Sequence, residues 1–578
     1  MQASTPPLAC KPANLRTAIS EQSEPRKFAT AESSFDAFPW VVPLDHEHFA
    51  AQSASPAGIT ESNRAGQRSV VAGRPAETTQ LAAQSNDVVV AGDAWFGVDF
   101  GFARWGSIRK VEVGPVTDDI SQSNRVDQQI SVVGRGAAPT SVEQISAQLN
   151  GLAAEGEVGA IIYGHRAFIG SISGIEVGLV TGELDQENRA MARAQLRGSG
   201  PSEVEQAGMQ ANLLDVQGSV WVTMEVHRIF AGAVQRIEVG LLSADVQQTG
   251  LLSQRVSSVS VAAEAEQAVQ QGNLLEVWGQ LNFFLDVRSS FTGRIRDVEI
   301  GLVTGEIVQR NEARQEAIFT GRAAADAPAS AEQSTSQLNL ISASGGLDAM
   351  IRVEGHFKGI IEDVEIGLIT ADITQTNLAG QQLRAAIGAG GDASALQSIQ
   401  QWNSVEVHGD LSVSLVIDGN FTGRIQNLEI GLLTGNVDQV HLAGQIASFT
   451  GAAPAVQTAQ QENHFHLDLL DDVNINIVFD GPFSGVLENL SIGLIFAEVE
   501  QGNFSLQQTT STGSRSAAAS MPDLASFMTR NHSFDPDGQI DLDVEIRIGS
   551  AYAAAFSHLD IGIEWIDLLG AAGRSVWM

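Results

Sequence analysis

The chain has 578 residues, 43% of them hydrophobic, with 68 acidic side chains against 33 basic ones and a formal net charge of -35. This length exceeds one ordinary core and calls for several domains or a repeat array. The charge excludes nucleic acid as a main partner, because phosphate binding needs clustered Lys and Arg, and the single cysteine, Cys10, excludes an internal disulfide framework or a Cys-based metal site.

The first 80 residues carry Pro6, Pro7, Pro12, Pro25, Pro39, Pro43, Pro56 and Pro75 and show no period, which predicts a disordered tail over 1–80. Its apolar patch, 35–44, reads as a hydrophobic stretch within that tail, with a docking segment as the alternative. The opening residues lack a basic-then-apolar signal layout, and no run approaches the ~20 apolar residues of a membrane helix. Two tyrosines do not furnish the aromatic girdles of an outer-membrane barrel. The expected location is extracellular or on the cell surface, reached by a route without a visible signal peptide. The cytoplasm stays open as an alternative.

From residue 81 the chain is periodic. The phrase VEIG and its variants recur eight times, with glycines at 114, 178, 240, 301, 367, 431, 493 and 562, spaced 61 to 69 residues apart. Fixed spacing within units and variable spacing between them implies rigid modules on softer connections. Residues 409–417 alternate apolar and polar, the strand period, and Asp418-Gly419-Asn420 then supplies turn chemistry. An aromatic precedes the next glycine by two (Phe168, Phe230, Phe291, Phe357, Phe421, Phe483), and a second strand runs through VEIG. The segment after VEIG repeats one face at period two, as in Ile373, Gln375, Asn377, Ala379, Gln381 and Leu383, so it reads as strand. Residues 307–319 alone also fit a helix.

The fold expectation is therefore all-β: a tandem array of eight ~64-residue β-hairpin repeats, stacked as a β-solenoid-like sheet. Seven repeats fill 81–528. Residues 529–578, where the amide motif is reduced to Asn531, form a degenerate capping repeat.

Amides mark each unit. Gln-x-Asn opens seven of them: Gln84 with Asn86, Gln148 with Asn150, Gln210 with Asn212, Gln271 with Asn273, Gln337 with Asn339, Gln401 with Asn403 and Gln461 with Asn463. A second glutamine follows at Gln122, Gln186, Gln248, Gln309, Gln375, Gln439 and Gln501. Stacked in register, identical amides hydrogen-bond up and down as structural ladders at ~4.8 Å. The VEIG glutamates, Glu112, Glu176, Glu238, Glu299, Glu365 and Glu429, argue the other way. Set ~4.8 Å apart they repel by about 0.9 kcal/mol per pair even in water. A solvated row is the expected resolution, and calcium bridging is the one cofactor the pattern allows.

The Gln-x-Asn pairs and the face Gln375, Asn377, Ala379, Gln381 resemble the repeats of bacterial functional-amyloid subunits of the curlin and Fap kind. The likeness spans about 84–507, and implies a self-stacking extracellular fibre and no particular functional residue.

No catalytic constellation emerges. There is no Gly-x-Ser-x-Gly elbow, phosphate loop or EF-hand. His464 and His466 beside Asp468, Asp471 and Asp472 could in principle hold a metal, but occur in one copy and read as a polar strand. His165, His227 and His356 read as turn residues. The expected function is a non-enzymatic structural repeat protein that forms or decorates a fibre, matrix or cell surface and associates with itself. The alternative is a scaffold that presents loops to a polysaccharide or protein partner. In that alternative the aromatics before each glycine are exposed; in the structural reading they are buried.

Overall fold

The computed structural model describes residues 59–73, 77–100, 104–134, 139–260, 262–320, 329–386, 393–450, 455–468, 473–495, 499–511, 524–537 and 542–563. They form an all-β solenoid of eight coils, with no helix among them. The segment 306–320 is strand, so the period-two reading prevails there over the helical one.

Each coil has three parts. An outer strand comes first, at Ile59–Gly73, Ile120–Gly134, Leu184–Arg197, Val246–Val259, Glu306–Thr320, Asp372–Ala386, Val437–Thr450 and Val499–Ser511. A long strand follows, of 25 residues in coils two to six (Ser202–Val226 in the third). A short strand of 10 residues closes the coil, such as Phe230–Val239. The outer strand at Ile59–Gly73 means that the aperiodic region is shorter than 1–80; residues 1–58 lie outside the described residues.

Every strand pairs in parallel with its own copy in the neighbouring coil. The two strands expected to form a hairpin therefore do not pair with each other. The expected turn is there, but the chain arches through it and the hydrogen bonds run along the stack. The physical reason lies in the pattern. A hairpin would set a 25-residue strand against a 10-residue one and pair unlike residues. Parallel pairing sets glutamine on glutamine and phenylalanine on phenylalanine.

The register leaves no space for side chains at the bends. Gly218 has φ +158°, and a Cβ there would lie 1.9 Å from the Gly156 carbonyl oxygen one coil earlier. Gly232, at φ +154°, would place its Cβ 1.6 Å from the Gly170 oxygen. Beyond the first bend the long strand packs on the short strand around the main core, where Phe230, Val234, Ile237 and Val222 are fully buried. The aromatics of successive coils stack there, with centroids 4.9 Å apart for Phe230 and Phe291 and 5.0 Å for Phe291 and Phe357. All six phenylalanines that precede the glycines are buried.

Candidate functional site

The first half of each long strand faces an outer strand, and between these two sheets the amides meet. All three expected ladders form. Gln210 donates to Gln148 at 2.7 Å, Gln271 to Gln210 at 2.8 Å and Gln337 to Gln271 at 2.9 Å, and the row runs from Gln84 to Gln461. The asparagines bond in the opposite sense, Asn212 to Asn273 at 2.8 Å and Asn339 to Asn403 at 3.0 Å, over Asn86 to Asn463. The second glutamines join from Gln122 to Gln501; Gln186 donates to Gln122 at 2.7 Å, and Gln309 to Gln248 and Gln375 to Gln309, each at 2.9 Å.

The ladders also interlock across the gap. Asn150 does more than the single-row rung that the sequence predicts. Its Oδ1 accepts from Asn86 at 3.0 Å within the row and from Asn124 of the facing outer strand at 2.8 Å, while its Nδ2 donates to Asn212 at 2.9 Å. The reason is that Asn150 is fully buried between the two sheets, where an oxygen with two lone pairs finds a donor on each side. In the same way Gln309 Nε2 donates to the Leu340 carbonyl at 3.1 Å, and Asn188 Nδ2 donates to Asn212 Oδ1 at 2.9 Å. Nearly every amide in these rows is buried, so each hydrogen bond replaces one that water would otherwise supply.

Three further rows are present, and one of them escaped the sequence reading altogether. Gln80, Gln144, Gln206, Gln267, Gln333, Gln397 and Gln457 form a full ladder, four residues before each opening glutamine. That constant offset was the available signal. The outer strands add Asn124, Asn188, Asn311, Asn377 and Asn503, with Gly250 and His441 in the same register. They also add Gln128, Gln254, Gln315, Gln381, Gln445 and Gln507. The sequence reading placed these residues on one strand face, as at Asn377 and Gln381, without naming them as ladders.

In the eighth coil the register sets Arg530 beside Gln461 and His532 beside Asn463. Asn531 pairs with Glu462, so it does not continue the asparagine row, as the sequence had suggested.

The glutamates form the second feature. Glu112, Glu176, Glu238, Glu299, Glu365 and Glu429 stand in unbroken register along a groove of about 870 Å³. The residue two before each glutamate takes a left-handed conformation, with φ from 50° to 55° at Lys110, Arg236, Asp297, Asp363 and Asn427 and 61° at Gly174. This bulge turns the strand and the row with it.

The row is half-buried where a solvated face was expected. Burial pushes the Glu365 and Glu176 carboxyls up to about 7, and neighbouring glutamates add to the rise. Burial raises Glu238 and Glu299 as well. A hydroxyl one coil on partly offsets this: Thr304 donates to Glu238 at 2.8 Å, Thr370 to Glu299 at 2.7 Å and Thr434 to Glu365 at 2.6 Å. At Glu176 the corresponding residue is Ser243, whose buried hydroxyl makes no hydrogen bond. Carboxyls raised this far are partly protonated near neutral pH, which relieves the repulsion that the sequence presented as an obstacle.

The candidate histidines are placed apart from both features. His464 and His466 stack at 5.7 Å, and His408 of the preceding coil lies 5.5 Å from His466. Glu406 sits among them and is held below the usual carboxylate range, chiefly by its hydrogen bond to His408. Asp471 and Asp472 lie outside the described residues. Among the described residues no three His, Cys, Asp or Glu side chains converge as a metal-binding set. His227 bonds the Tyr163 hydroxyl at 2.6 Å, and His356 accepts from the Asn420 N–H at 3.2 Å.

No protein-family model, curated protein or solved structure matches this chain.

Proposed function

We propose that the chain is a structural protein, an extracellular or cell-surface rod that associates end to end into a fibre or matrix. One observation carries the reading: the interior is an in-register stack, with amides in every coil and phenylalanines from the second coil to the seventh, which gives rigidity along one axis. Among the described residues the first and last coils each have a strand edge with no further coil paired to it, and such edges recruit further strands. The resemblance to curlin-type and Fap-type subunits points the same way. Eight coils at ~4.8 Å make a stack of about 38 Å.

The test is negative-stain microscopy of the full chain at neutral pH. Filaments with an axial repeat of about 38 Å are expected. Discrete rods that remain monodisperse on concentration refute end-to-end assembly.

A second reading, a self-contained scaffold that decorates a surface, is favoured by one specific observation. Arg530 and His532 stand in the register of Gln461 and Asn463, so the sequence of the last coil does not continue either amide row.

A further inference from the structure

The outward face of the long strands just beyond the first bend differs between the two ends of the solenoid. One register row reads Trp95, Gly159, Trp221, Asn282, Asp348 and Ser412 along successive coils. The two tryptophans are 56% and 40% exposed, whereas the Phe ladder on the inner side is buried. Trp278 and Phe504 are exposed as well, at 43% and 48%, but Trp95 and Trp221 are set apart because their two indoles lie together on one face.

Although two coils apart, the rings approach to 6.0 Å between centroids at 52°. Gly159 makes this possible: a Cβ there would lie 2.3 Å from Trp95 Cζ3, so the ring lies over the bare backbone of the intervening coil. Ile161, 44% exposed and two residues on, extends the shelf on the same face.

Further along that face stands a polar group. The Tyr163 hydroxyl meets His227, His165 lies 3.2 Å from Asp99, and Glu225 is held by His227 at 2.7 Å and by Arg288. Arg288 offsets the Glu225 carboxylate, and the face offers hydroxyl, imidazole and carboxylate hydrogen-bonding atoms.

We propose that this shelf is a binding site for a neutral polysaccharide. An indole face takes the C–H face of a pyranose ring, and two tilted indoles accommodate a sugar against one ring while the other closes its edge. The polar group beyond meets the hydroxyls of the next sugars along a chain. Charge selects among occupants: a chain of net charge -35 disfavours an acidic glycan on this face. The inference does not depend on fibre formation, because the shelf lies on the side of the stack and is complete within one chain.

The experiment is affinity electrophoresis of the full chain in gels containing laminarin, hydroxyethyl cellulose, soluble starch or glycol chitin, with polygalacturonate as the acidic control. Retardation by at least one neutral polymer is expected, and none by polygalacturonate. Trp95→Ala combined with Trp221→Ala should weaken it at least about tenfold. Both side chains are partly exposed, so the double variant should still fold, which its circular-dichroism spectrum would show. Gly159→Ala keeps both indoles yet displaces Trp95, and should weaken retardation as well. Failure of all four neutral polymers overturns the proposal. So does retardation unchanged in the double variant, or preference for polygalacturonate. A wild-type dimer in sedimentation that the double variant converts to monomer assigns the face to a second copy and overturns it too.

Discussion

Replacing Gln309 by leucine tests whether the amide zipper holds the coils together. Gln309 donates to Gln248 at 2.9 Å and to the Leu340 carbonyl at 3.1 Å, and accepts from Gln375 at 2.9 Å. The loss of three buried hydrogen bonds removes about 3 kcal/mol, and Gln248 Oε1 is then buried without that donor at a further ~1 kcal/mol or more. Leucine returns ~1–2 kcal/mol through its apolar surface, so the expected net loss is about 3 kcal/mol. Gln375→Leu should cost a similar amount. Because the two share one bond, the double variant should fall short of the sum by about 1 kcal/mol or more. Gln247→Leu, on the exposed face of the neighbouring outer strand, should stay within ~0.5 kcal/mol. Urea midpoints at constant slope give the totals, and native-state hydrogen exchange should place the added opening in coils four to six. If Gln309→Leu lies within ~0.5 kcal/mol of wild type, or the pair is additive, the zipper does not stabilise the stack.

Two other substitutions probe the remaining features. Glu365 has a folded-state carboxyl raised to about 7, so its contribution is fully present below the unfolded value near 4.5 and is lost as pH rises through 7. Glu365→Gln should therefore melt like wild type at pH 4, yet be more stable at pH 8 by up to about 3 kcal/mol; equal melting at both pH values would show that the row is not proton-coupled. In the same melts, a chelator should leave wild type unchanged at pH 8, and a drop would assign neutralisation of the row to calcium. Gly232→Ala sets a Cβ against the Gly170 oxygen and should destabilise by about 3 kcal/mol or more, which circular-dichroism melting would register. A near-neutral result would mean that the coils are not in the register described.

Much of this architecture is legible in the repeat. The offset between Gln271 and Gln309, kept from Gln84 and Gln122 through Gln401 and Gln439, already places two amide rows at fixed positions of one module. The alternation through Ile373–Leu383 already separates an inner face from an outer one. The pairing partner is not legible, because period two is the same for a strand in a hairpin and a strand in an arch. Only the match of Phe230 to Phe291, or Gln210 to Gln271, across coils decides it. The cross-gap bond from Asn124 to Asn150 was hidden for the same reason, since it depends on which strand faces which. The glutamate row was misjudged for a related cause. The left-handed residue that bends the strand is Lys, Gly, Arg, Asp or Asn in different coils, so no single letter announces it. The threonines that donate to Glu238, Glu299 and Glu365 come from the following coil, 66 to 71 residues away. The tryptophan shelf left no periodic trace, since it occupies two coils and depends on a glycine in a third.

The strict register also governs how such a chain can change length. Deleting one residue from the strand Ser202–Val226 would shift part of its Gln206, Gln210 and Asn212 rows out of step with both neighbours and turn inward side chains outward. Deleting an entire coil would rejoin each row to an identical partner and shorten the rod by only ~4.8 Å. Tolerated insertions and losses should therefore come in whole coils, or in the connections whose lengths already vary, so that the length of the rod is in effect a count of copies.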